Sequence, residues 1–233
     1  MNSFLTQCKV RKIELLQFLG IVAAGYLVGL GIVFIMVNVT DENAYATVGT
    51  MLAVLLFAFI HLFAISFSFM GEFNTAISMG VTRKSFAAGY ALFNLLEIAV
   101  LELEIVVFGV LEKFLLKTAF PQAAVEADMT TFFTWKYLLG AMVVFTVLEM
   151  FFGAVILRYG MKVLWILWAV WMIICLVPMN IAKNEKLSGE LAKLGLFLGG
   201  KFTPQGIVAL VIALTIVIAV ITWNILRKQR VTA

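Results

Sequence analysis

The sequence is poor in the residues that build catalytic and metal centres. Its 233 residues include one histidine, His61, and two cysteines, Cys8 and Cys175. One cysteine lies in the leading segment and the other inside an apolar run, so they form no disulfide framework and no metal-ligand spacing, and both read as inert. With His61 as the one imidazole, no Ser/His/Asp set, Cys/His pair or metal cluster is assembled, and the chain is not expected to be an enzyme or to hold a cofactor of its own. Charge is also scarce. Only 13% of residues are charged and 64% are apolar, and the mean hydropathy is +1.09. A soluble domain of this length cannot be covered with so little polar surface, so the chain reads as an all-α, polytopic membrane protein. The formal charge of +4 does not point to nucleic acid. The basic residues sit in short clusters at the ends of apolar runs, where they set orientation and meet lipid headgroups.

Six apolar runs are long enough to cross a bilayer that needs about 20 helical residues. They cover about 15–37, 48–70, 86–111, 136–157, 162–179 and 205–226, within one transmembrane domain spanning 1–233. Residues 1–14 mix Phe4, Leu5 and Ile13 with Lys9, Arg11 and Lys12, the pattern of either a helix lying on the membrane surface or a basic leader. A signal peptide is the rival reading, but the run behind the leader exceeds the 7–15 apolar residues of a typical signal, and it is read as a retained span. Gly25 and Gly29 form a GxxxG that would let a second helix approach closely. The stretch 180–204 is polar, and Leu187, Leu191 and Leu194 space out a small amphipathic helix.

The polar island Gly71–Phe86 separates spans two and three. Phe73, Ile77 and Val81 recur every fourth residue, with Asn74, Ser78 and Thr82 one position behind, which predicts a short amphipathic helix suited to docking. Gly80 is placed to end it in a left-handed cap, and Thr82 to cap the next helix, with Arg83 and Lys84 at the membrane surface. The leader, this island, the 158–162 turn and the tail carry Lys9, Arg11, Lys12, Arg83, Lys84, Arg158, Lys162, Arg227, Lys228 and Arg230 against Glu14 and Glu72. The other connections balance their charges. The positive-inside rule then predicts six spans with both termini in the cytoplasm.

Two stretches mimic nucleotide-binding motifs. Gly195 to Lys201 matches the first part of a P-loop, but Phe202 stands where the Mg²⁺-binding hydroxyl belongs, no strand precedes it, and the topology puts it outside. The Leu187–Glu190 stretch, Leu-Ser-Gly-Glu, fails on similar grounds. A different likeness rests on Ser78 to Phe86, SMGVTRKSF, on the basic Gly-containing turn Arg158–Lys162, and on the layout of the whole chain. In these the chain resembles the permease subunits of bacterial ABC exporters of the ABCG-like (type V) class. The resemblance implies that Glu72, Phe73, Asn74, Ile77, Met79, Gly80, Val81, Thr82, Arg83 and Lys84 form a coupling helix against ABC ATPase subunits on separate chains, which would hold the ATP and Mg. It implies a connecting helix in the leader, an outer lid over 180–204, a second permease copy, identical or related, and a bacterial plasma membrane. Short permeases of this kind are similar to exporters of antimicrobial or amphipathic peptides, including phenol-soluble modulins.

Span three carries Asn94, Glu97, Glu102 and Glu104, and span four carries Glu149, with no Arg or Lys read at similar depth. A charge in a span costs roughly 2.5–3.5 kcal/mol on insertion scales. Two accounts stay open. His61, Asn94, Glu97, Glu104 and Glu149 line a pathway whose negative field favours a cationic or amphipathic substrate, or they are neutral packing groups. The alternatives to an ATP-driven permease are a proton-coupled secondary transporter using His61, Glu97 and Glu149, and a membrane scaffold or immunity protein.

Overall fold

The computed structural model describes residues 3–40, 44–121, 124–182 and 204–229. The elements are α1 (Ser3–Thr40), β1 (Ala44–Ala46), α2 (Val48–Phe59), a π-helical segment (Ile60–Ile65), α3 (Ser66–Ser78), α4 (Arg83–Ala119), β2 (Ala124–Ala127), a 3₁₀ turn (Met129–Phe132), α5 (Trp135–Tyr159), α6 (Lys162–Ala182) and α7 (Pro204–Lys228). The fold is essentially all-α. Four helical stretches, Gln7–Val39, Val48–Ser78, Trp135–Tyr159 and Gln205–Lys228, are long and apolar enough to cross a membrane. α4 is as long as α1 but carries Glu97, Glu102, Glu104 and Glu112. The expected outer helix around Leu187, Leu191 and Leu194, and the P-loop-like stretch, lie outside the described residues.

Three boundaries differ from the sequence expectation, each for a physical reason. The leader is not a separate surface helix, since α1 runs unbroken through it for 38 residues, about 57 Å of helix at 1.5 Å per residue. The island helix is not separate from span two either. The π segment links α2 to α3 without a break, and the chain turns only after Ser78. Span three grows at its C-terminal end to Ala119 because Glu112 and Leu116, which look like loop residues beside Lys113 and Lys117, are fully buried. The structure also adds one pair of short parallel strands, with Ala44 opposite Ala124 and Tyr45 opposite Val125. They are too short to leave a period in the sequence.

Where helices cross, small residues set the distance. A Cβ on Gly29 of α1 would lie 2.6 Å from Gly49 Cα of α2, and one on Gly153 of α5 would lie 2.6 Å from the Phe69 ring of α3. The expected close approach at Gly25 and Gly29 is therefore made, by α2. Near the α3–α4 turn, Phe69, Phe73, Phe86 and Tyr90 are buried, with ring centroids 4.8 Å apart for Phe69–Tyr90 and 5.4 Å for Phe73–Phe86. Such edge-to-face pairs add to the burial of their area. They fix the α3–α4 hairpin, whose turn holds Gly80 at φ +82° and starts α4 with Ser85 N–H donating to Thr82 Oγ1 at 3.2 Å. Both caps read from the sequence are present.

Contacts also sort the ends of the bundle. Arg11 near the start of α1 meets Glu72 near the end of α3 and Glu97 in the first half of α4. Gln229, just past α7, donates to the Leu157 carbonyl at the end of α5. Gly153, near that same end of α5, packs on Phe69. The basic leader, island, 158–162 turn and tail thus gather at one end, and β1 and β2 pair at the other.

Candidate functional site

A buried polar chain crosses the bundle about 15 Å from the basic end, counting ten residues of α5 from Glu149 to Tyr159. The π segment supplies its first member. π turns are rare and concentrate at functional sites, and this one carries His61, fully buried against the rings of Phe57 and Phe145. His61 Nδ1 is paired with Glu149 Oε1 of α5. The other carboxylate oxygen of Glu149 accepts from the Asn94 amide of α4. Asn94 Oδ1 in turn accepts from Arg11 Nη1 of α1 at 2.6 Å. Arg11 continues the chain, with Nη2 donating to Glu97 Oε2 at 2.8 Å and Nε to Glu14 Oε2 at 2.8 Å. Glu72 Oε1 of α3 lies 3.4 Å from Nε.

Arg11 is 1% exposed, and His61, Asn94, Glu97 and Glu149 are 0% exposed. Its guanidinium also lies over the faces of Tyr90 and Phe93, 4.9 and 4.6 Å from their centroids. Arginine suits this position because its planar fork serves several acceptors at once while its faces stack on aromatics. The carboxylates outnumber the guanidinium, and polar capacity is left over. His61 Nε2, Glu97 Oε1 and Glu72 Oε2 are buried without a hydrogen-bond partner among the described residues. Each such atom typically costs about 1–3 kcal/mol.

The sequence reading singled out His61, Asn94, Glu97 and Glu149, and the structure brings these four into one chain of contacts. It missed Arg11, whose place overturns the expectation that no basic residue lies at the depth of the carboxylates. Glu97 and Glu149 are paired, and the cavities of about 670, 360 and 180 Å³ have none of these carboxylates on their walls. Glu104 stands apart, half-buried, with Oε2 unpartnered among the described residues. Glu102, on span three but outside the set expected to line a pathway, is buried as well.

The island residues divide by face. Phe73 is fully buried, and Ile77 and Val81 pack against the same core. The apolar stripe therefore packs within the chain's own α3–α4 hairpin, which leaves Phe73 no exposed surface. Asn74 and Arg83 are half-buried, Glu72 belongs to the Arg11 cluster, and Ser78, Met79, Gly80, Thr82 and Lys84 are exposed. Met79, at 76% exposure, is the apolar residue free to enter a neighbour.

A second buried carboxylate sits near the other end of α4. Glu112 accepts from Gly49 N–H at 2.9 Å, from Thr50 N–H at 2.7 Å and from the Thr50 hydroxyl at 2.6 Å. It caps α2 from outside, at the positive end of that helix. The local cap is otherwise engaged, since the Thr47 hydroxyl accepts from Met129 N–H at 3.0 Å. Beyond it, partial burial raises the Asp128 carboxyl, but hydrogen bonds from Lys113 and Thr130 outweigh this and hold it below the usual carboxylate value.

Among the described residues no group of three or more His, Cys, Asp or Glu is arranged to hold a metal. Comparison with protein-family models, curated proteins and solved structures returns no significant match.

Proposed function

We propose that the chain is the membrane-spanning permease subunit of an ATP-driven exporter in a bacterial plasma membrane. In this reading six helices cross the bilayer with both termini in the cytoplasm, α4 and α6 joining the four apolar ones. ABC ATPase subunits, holding ATP and Mg, dock on the exposed Ser78–Lys84 turn, and a second permease copy completes the pathway. The observation that carries the reading is one connected path from that turn to the bundle interior. Glu72 lies less than two turns before Ser78 and 3.4 Å from Arg11, and Arg11 leads through Asn94 to Glu149 and His61. A push on the turn would reach α1, α4, α5 and the π segment through packed, charge-assisted contacts rather than through a soft loop. The gathering of the basic segments at one end supports the orientation. A hydrophobic or amphipathic substrate, such as a helical peptide, suits the apolar walls.

The test is copurification of the chain with an ATPase, followed by ATP-dependent transport in vesicles. Met79→Asp and Lys84→Glu alter only the exposed turn, so they should leave the chain inserted and lower transport about tenfold, a loss of roughly 1.4 kcal/mol of docking energy. Transport unaffected by both variants would remove the coupling role. A second reading, a proton-coupled transporter, draws on the unpartnered Nε2 of His61 and Oε1 of Glu97, which could take and release protons along the chain. Transport driven by a proton gradient with no ATPase present would favour it.

A further inference from the structure

A hollow of about 670 Å³ lies away from the polar chain, between the first halves of α5 and α7. Its walls include Gly140 and Val144 of α5 and Val211 and Ile212 of α7. Its one charged lining residue among those described, Lys136, stands at the start of α5 beside Tyr137. We propose that this groove holds one acyl chain of an anionic phospholipid, with the headgroup phosphate at the Lys136 ammonium.

Five observations lead to this occupant. The walls run from Lys136 to Val144 on α5 and from Ile207 to Ile216 on α7, about 12–14 Å along each helix at 1.5 Å per residue. That is close to one leaflet of a hydrocarbon core about 30 Å thick. Away from Lys136 and Tyr137 the described walls are apolar apart from Thr215, whose hydroxyl is spent on the Val211 carbonyl at 2.8 Å, so they suit an apolar chain. Gly140 leaves the α5 wall open, since a Cβ there would meet nothing within 4 Å. The mouth is marked as headgroup level by Trp135 and Tyr137, both exposed, as amphipathic rings are at membrane interfaces. The exposed Lys136 ammonium lies 5.8 Å from the Trp135 ring, which places the charge at that mouth. A zwitterionic headgroup would bring this ammonium no net counter-charge.

The test is native mass spectrometry of the full chain extracted from vesicles of equal phosphatidylglycerol and phosphatidylcholine. Phosphatidylglycerol should be retained at one per chain and phosphatidylcholine at least fivefold less. Lys136→Glu should abolish that preference, and Gly140→Trp, which fills the groove while keeping the cation, should abolish retention of both. Equal retention of the two lipids by the unaltered chain would overturn the proposal, as would undiminished phosphatidylglycerol on Gly140→Trp. Should either variant fail to fold, phosphatidylglycerol with a photoreactive group in mid-chain decides on the unaltered protein. Labelling within 137–144 and 207–216 supports the site. Labelling only elsewhere, or crosslinks there to a peptide or a second copy instead of lipid, overturns it.

Discussion

Replacing Arg11 by Ala is the sharpest probe of the buried polar chain. The substitution removes the donor to Asn94 at 2.6 Å and to Glu97 and Glu14 at 2.8 Å. It also removes the cation over Tyr90 and Phe93. Breaking a buried ion pair by deleting one partner typically costs about 3–5 kcal/mol, because the remaining charge has no counter-ion. For a protein of this size 1 kcal/mol moves the melting temperature by about 2–4 °C, so Arg11→Ala should lower it by roughly 6–20 °C in detergent. Arg11→Lys should fall between, since a single ammonium cannot reproduce the fork. Pairing Arg11→Ala with Glu97→Gln separates the ion pair from general packing. The pair has one isosteric neutral member, so the double variant should melt above Arg11→Ala alone. An Arg11→Ala protein within 2 °C of the unaltered one, or strict additivity in the cycle, would show that Arg11 is not engaged with Glu97 and would remove the link between the turn and the interior.

Glu112→Ala strips the external cap from α2 and leaves Gly49 and Thr50 N–H groups buried. A loss of about 1–3 kcal/mol is expected, read as a lower melting temperature with unchanged membrane insertion. Asp128 makes a pH-dependent contribution: its folded carboxyl is held below the ordinary value of 3.8. The stability it adds is fully present above that value and is lost as pH falls through the depressed one. Asp128→Asn should therefore melt below the unaltered chain at pH 6 and converge with it under strongly acidic conditions; a constant gap down to pH 2 would exclude titration of this group. Single cysteines at Thr82 and Gly160 should be shielded from an impermeant thiol reagent outside intact cells while one at Val125 reacts, and any reversal refutes the proposed orientation.

What the sequence made legible was whatever is carried by local backbone chemistry or by long runs. Gly80 and Thr82 announce a turn because few other residues take φ near +80° or accept from the third N–H of a helix. Gly25 and Gly29 announce a close crossing because only small residues permit one. Arg11 was hidden because Lys9 and Lys12 beside it make it look like one more headgroup contact. Its burial is decided by α4, 80 residues away, which brings Asn94 and Glu97 beneath it. A signal was present nonetheless: Gln7, Arg11, Phe18, Val22 and Tyr26 share one buried helical stripe, and a basic residue inside an apolar stripe is a candidate for pairing. Glu112 was hidden by its charged neighbour Lys113, since a loop acid and an external helix cap look alike until the second helix is placed. The island stripe shows the opposite case. The Phe73, Ile77 and Val81 stripe was seen correctly, but periodicity says only that a face is buried, not against what.

The placement of the two buried carboxylates on α4 decides which parts of the bundle can move together. Arg11 ties α4 to α1 through Glu97, and Glu112 ties it to the start of α2. α1 and α2 touch backbone to backbone at Gly29 and Gly49. All three helices are thus joined at the Gly49 end, and α1 and α4 also at the Arg11 end. α5 is joined differently: among the described residues Glu149 links it to Asn94 of α4 and to His61 of the π segment, and Gly153 packs closely on Phe69 of α3. A conformational change that opens the bundle at least cost should therefore separate α5 from α4 and the π segment. Hydrogen bonds to charged groups contribute about 1.5–3 kcal/mol each, so Glu149→Ala should remove enough to be seen in hydrogen exchange without unfolding the chain. Exchange should rise in 145–153 and in the π segment Ile60–Ile65, while amides around Gly29 and Gly49 keep their protection. Equal acceleration in all four helices would mean that α5 is not a separable unit. An unchanged π segment would mean that Glu149 does not hold His61 in place.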